Sequence, residues 1–256
     1  MERLQRYVSN ELTHFVGRSC KDDESRYDQF KAILSSCRLE PRPVGFLRSP
    51  GGISMGMSAS ASLSSNEVYE TEVVCFCDIP VEDFDLHMQK YSHFGLSFLK
   101  QFLVGKEANP VFYIARDATD RYPSIHGRRL GKPMIDRGES FDAFFLAYRE
   151  GFNRLFPWVS MNGPGRKDVP AELLKVLEEL MMLKSFLNDL FSYFKFFDTK
   201  ESEASTRNFY MEREWRTRGV LEFSLDDVHR VIFPAAYARR FRRDFPDFFG
   251  QITFSN

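Results

Sequence analysis

Apolar positions change their period several times along the chain. Residues 12–16 form a short apolar run with His14 inside it, closed by Gly17 and followed by the charged stretch 21–26. That order predicts a strand and a turn. Over residues 24–36, Tyr27, Phe30, Ile33 and Leu34 recur at three- and four-residue spacings, which predicts a helix. Residues 47–66 are rich in Gly, Ser, Ala and Met with Pro50, a composition that bends readily and predicts a loop. Residues 73–79 predict a strand closed by Pro80, and residues 81–91 a helix that starts there. Residues 95–103 and 110–115 flank a turn-like segment 105–109, which predicts a hairpin.

Residues 116–137 read as a basic loop, and residues 141–156 and 171–197 as helices. The second helix opens at Pro170 and is apolar on nearly every face, so it fills a core or is covered in part by a partner. Strands return at 211–223, 231–233 and 251–254, with a helix at 235–245. The order predicts a single α+β domain over residues 1–256. Its mixed or antiparallel central sheet is drawn from both ends of the sequence, with a helical insertion at 138–200.

At 256 residues and 43% hydrophobic content the chain can bury a real core, to which its 27 Phe contribute large apolar area. Lys and Arg (35) balance Asp and Glu (36), so no global field draws in nucleic acid or a membrane. The four Cys, at 20, 37, 75 and 77, are too few and too unevenly placed for a disulfide framework and are expected as reduced thiols. Residues 1–10 carry charges without an apolar h-region, and no uncharged apolar run is long enough to span a bilayer. A cytoplasmic protein that makes no membrane contact is expected.

Chemistry concentrates in residues 208–216. As a strand, this stretch places Glu212, Glu214 and Arg216 on one face and Met211, Arg213 and Trp215 on the other. A carboxylate pair beside a guanidinium, once buried, is either a site or an ion-pair network with Arg213, Arg216 and Arg218. His14 is either a satisfied core residue or a donor that converges with those acids on a sugar-linked substrate, where a carboxylate steadies developing positive charge. His87 and Tyr91 are four residues apart and share a helical face, so Tyr91 is a candidate to face the same cleft as His14. Cys75, Cys77, His87 and His93 hold the atoms of a zinc site, but at spacings foreign to common zinc modules, so no metal is expected. Asp78 is expected to cap the helix beyond Pro80. Arg239, Arg240, Arg242 and Arg243 form either a solvated helix face or a stripe for phosphate or RNA. No phosphate-cradling glycine motif of the Walker or dinucleotide type is present.

Three segments, residues 12–18 (LTHFVGR), 74–80 (VCFCDIP) and 210–216 (YMEREWR), carry a resemblance to the AbiGi family of bacterial abortive-infection proteins. Residues 87–95 and 109–113 extend it. That resemblance implies the antitoxin half of a two-gene phage-resistance system, with a partner protein from the neighbouring gene. A more distant resemblance, of order and residue type, is to ADP-ribosyltransferases: an early strand with His, a mid-chain aromatic and a late strand with Glu. It implies NAD as cofactor and a protein or nucleic acid as acceptor. The implied catalytic residues are His14, Glu212 and Glu214, and Thr13, His14, Phe15, Tyr91 and Arg216 are implied to hold the cofactor. Tyr69 and Phe76 are alternatives to Tyr91 as the stacking aromatic.

Overall fold

The computed structural model describes residues 9–41, 55–57, 69–115, 170–202, 205 and 207–255. The expected basic loop 116–137, the helix 141–156 and nearly all of the loop 47–66 lie outside them. Contacts between Cα atoms divide the chain into one unit of Met1–Ser54, Glu72–Val111 and Glu201–Asn256, and another of Met55–Thr71 and Phe112–Lys200.

The first unit holds a seven-stranded mixed sheet. Its strands are β1 (Glu11–Val16), β5 (Val73–Cys77), β6 (Phe94–Leu99), β7 (Asn109–Pro110), β10 (Glu214–Arg218), β12 (Val228–Pro234) and β13 (Gln251–Ser255). They lie in the order β13, β12, β6, β1, β5, β10, β7, and all pairings are antiparallel except β12 with β13. A small ladder joins β2 (Arg38–Leu39) to β11 (Leu221–Glu222). The fold class is therefore α+β, with a sheet assembled from distant parts of the sequence, as expected.

Helix α1 (Asp23–Ser36) starts where Asp22 accepts the Ser25 backbone N–H at 2.8 Å, with Asp23 and Glu24 set against the positive end of the helix dipole. It ends at Cys37, whose φ of 51° breaks the helical path. Tyr27, Phe30 and Leu34 point into the sheet and are fully covered. They meet Leu12 and Val16 of β1, Val74 and Phe76 of β5, Phe94, Leu96 and Phe98 of β6, and Phe241 of the short helix α5 (Ala238–Asp244). This main core takes up many of the phenylalanines.

The opposite face of the sheet carries a smaller cluster of Cys77, Ile79, Phe84 and Ile232, joined by Phe15, Val81 and Met88. A 3-10 turn (Val81–Asp83) and helix α2 (Asp85–Lys90) cover it, in place of the single helix expected over 81–91. The expected hairpin at 95–115 is not formed. Instead β6 leads into helix α3 (Lys100–Gly105), and β7 pairs with β10 at the far side of the sheet. The strand expected over 211–223 is broken by a 3-10 turn (Phe209–Glu212) and by Gly219, which takes φ 68°.

In the second unit β3 (Met55–Met57) pairs with β4 (Tyr69–Thr71), and β8 (Phe112–Ala115) runs parallel to β9 (Phe194–Phe197). Helix α4 (Ala171–Phe191) precedes β9, so the long helix expected over 171–197 ends early and its last residues become a strand. Leu173, Val176, Met182, Leu183 and Phe186 on α4 are about half or more exposed, so its described side chains do not fill a core all round.

Candidate functional site

Register fixes which residues share a face. Thr13 lies opposite Cys77, and Cys77 lies opposite Glu214, so these three point the same way. Phe15, Cys75 and Arg216 lie two residues on and share that face. His14 alternates with them. It sits beside Leu12 and Val16 on the main-core side, with its ring edge-on to Phe76 at 5.9 Å between centroids. The structure therefore does not bring His14 onto the face of the acids. Its Nδ1–H donates to the Cys75 carbonyl at 2.8 Å, in a ladder whose only registered backbone pair is Thr13 with Cys77.

Glu212 reaches the site by a different route from the one alternation predicts. It ends the 3-10 turn, and Arg213, in the left-handed region at φ 46°, redirects the chain into β10 at Glu214. Both carboxylates are buried, at 4% exposure each. Tyr91 Oη and Lys90 Nζ donate to the same Glu212 oxygen, Oε1. Arg216 Nε donates to Glu214 Oε1 at 2.7 Å. Lys90 thus pairs with Glu212 and Arg216 with Glu214, which meets the requirement that buried charges be paired.

Around the Tyr91 ring, Phe15 stacks nearly parallel at 6.2 Å, and the exposed Arg18 sits with its guanidinium carbon 5.2 Å from the centroid. Lys90 also lies 4.2 Å from the centroid of Phe209. Burial, reinforced by the charge and hydrogen bond of Glu212 and by the charge of Glu214, pushes the Tyr91 phenol far above its ordinary range. Tyr91 therefore stays protonated and acts as a hydrogen-bond donor. Burial, with the Glu212 charge adding to it, likewise pushes the Cys77 thiol up and makes it unreactive as a nucleophile.

Of the residues expected from sequence, Thr13, Phe15, Tyr91, Glu214 and Arg216 gather on this face with Glu212, and His14 does not. Thr13 is committed to Ser97, their hydroxyls being 2.7 Å apart. Lys90 and Arg18 were not anticipated. The sequence gives no hint of Lys90, whose partner is 122 residues away. Arg18 follows the turn glycine of the early motif and was within reach of inspection.

Asp78 does not cap the following helix. It accepts from Lys100 Nζ at 2.9 Å and from the Ser9 backbone N–H at 3.2 Å. The arginine cluster is largely committed as well. Arg240 bonds Glu24 and Asp28, Arg242 bonds the Phe248 carbonyl at 3.1 Å, and Arg243 pairs with Asp244. Among the described residues no group of three or more His, Cys, Asp and Glu is placed to hold a metal ion, and no helix is long and apolar enough to cross a membrane.

A family model described as "Putative abortive phage resistance protein AbiGi, antitoxin" matches residues 63–234, about two thirds of the chain. No curated protein and no solved structure matches. None of these comparisons points to an ADP-ribosyltransferase.

Proposed function

Because the chain belongs to the AbiGi family, we propose that it is the antitoxin of a phage-resistance pair and acts by binding a partner protein. The family match carries this reading. It is supported by the state of the buried acids: Glu212 and Glu214 both have basic partners within the same unit, which accounts for them without any substrate. The test is coexpression with the product of the neighbouring gene. Growth arrest by that product alone, its relief by this chain, and copurification of the two are the expected results. Relief without a physical complex would overturn binding as the mechanism.

A second reading, transfer of ADP-ribose from NAD to a macromolecule, is favoured by one observation. Phe15, Tyr91, Glu212, Glu214 and Arg216, remote in sequence, lie on one face of the sheet where β1 and β5 have a single registered pair. In this reading Tyr91 and Phe15 offer a stacking surface and Glu214 steadies positive charge on the ribose as nicotinamide leaves. His14, on the other face, takes no part. Labelled NAD incubated with lysate and the wild-type protein, Glu212→Gln or Glu214→Gln decides it. Labelling by the wild type alone is expected; equal labelling, or none, in all three removes the reading.

A further inference from the structure

Helix α4 carries a seam of exposed side chains among its described residues. Glu172, Val176, Glu179, Leu183, Phe186 and Leu190 follow one another at steps of four, three, four, three and four residues. That is the spacing of the a and d positions of a coiled coil. At 3.6 residues per turn the first five fall within an arc of about 80°. Val176, Leu183 and Phe186 are 49%, 50% and 62% exposed, Glu172 before them and Glu179 between them are exposed, and Leu190 is half-buried. A solvated helix ordinarily turns charges outward and leaves such a row polar. Here Glu172 heads an apolar row and Glu179 interrupts it, at positions that a facing helix would enclose.

We propose that this seam is the docking surface for an amphipathic helix of the partner toxin, with apolar side chains that meet Val176, Leu183 and Phe186 and Lys or Arg opposite Glu172 and Glu179. The inference rests on the antitoxin reading above. Charge selects the occupant. In a parallel, in-register pair of two copies, each Glu would meet its own counterpart in a closing interface, an arrangement that like charges oppose. A basic partner helix satisfies both acids and gains specificity from them.

The test measures affinity of the purified full chain for the purified neighbouring-gene product by calorimetry. Leu183→Glu and Phe186→Glu are each expected to weaken binding at least about 30-fold, as loss of an apolar anchor does. Glu179→Lys should weaken binding and reduce its salt dependence. Phe249→Glu, at an 87% exposed site in the first unit, serves as control and should bind as wild type does. Because all the altered side chains are exposed, thermal unfolding of the free variants should not move. Unchanged affinity in the α4 variants would overturn the seam while leaving the antitoxin reading intact; absence of binding by the wild type would overturn that reading instead. Lower stability of Leu183→Glu alone in solution would show that a segment of this chain covers the seam, and a wild-type dimer made monomeric by Leu183→Glu would show a second copy there. Either result would overturn the proposal.

Discussion

Tyr91 and Lys90, adjacent at the end of α2, both donate to one oxygen of Glu212, which the chain delivers from 121 and 122 residues away. The Lys90 and Glu212 side chains are only 10% and 5% exposed, so removing either takes an opposite charge away from one held out of water. Lys90→Met and Glu212→Leu are each expected to cost about 3–5 kcal/mol in urea unfolding, and the double variant much less than their sum. Tyr91→Phe should cost about 1.5–3 kcal/mol, the value of a hydrogen bond to a charged group. Additive losses in the double variant would show that the two charges do not depend on each other.

Backbone geometry separates two glycines. A Cβ on Gly250 would stand 2.6 Å from the Val228 carbonyl oxygen and 2.4 Å from Phe248 Cζ, whereas one on Gly105 meets nothing within 4 Å. Gly250→Ala must displace backbone at the entrance to β13 and is expected to destabilise by about 1–3 kcal/mol. Gly105→Ala, at the end of α3 with a φ open to any residue, should stabilise by about 0.4–1 kcal/mol through the unfolded chain. Chemical denaturation of the two variants checks the order, and equal effects would contradict it.

Acid stability should depend on the contact of α1 with α5. The Lys31 ammonium, with the Tyr27 hydroxyl behind it, holds the Asp244 carboxyl below its ordinary range, and a hydrogen bond from the Ser25 side chain does the same for Asp22. A depressed folded-state pKa contributes stability that is present above the unfolded value and lost as pH falls through the folded one. The melting temperature is therefore expected to fall as pH drops below about 4, and Asp244→Asn should flatten that decline. An identical pH profile in the variant would show that Asp244 does not contribute.

Much of this was legible in the sequence where one periodicity ruled alone. Tyr27, Phe30 and Leu34 announce α1, and the run from Val73 announces β5. The side of His14 was also readable, since Leu12 and Val16, two residues to either side, are core residues. Residues 94–105 were not, because β6 is buried on both faces and its apolar run merges into that of α3 without a break. The placement of Glu212 was hidden for another reason. Arg213 adopts a left-handed φ where a glycine would have given warning, so strict alternation put the right residue on the right face by the wrong path. The bond from Tyr91 to Glu212 spans 121 residues, and no local pattern encodes it.

The place of β1 in the middle of the sheet bears on how the protein comes to be folded. Its two flanking strands, β5 and β6, are synthesised some sixty to eighty residues after it, and β10 and β12 more than a hundred residues after those. Loop closure on that scale must precede any reward from pairing, so nucleation is slow and no early fragment can gather the strands. A nascent chain therefore passes the ribosome exit with Leu12 and Val16 still seeking neighbours. The amount of working protein in a cell should respond to chaperone supply and to the pace of translation as much as to the stability of the finished sheet.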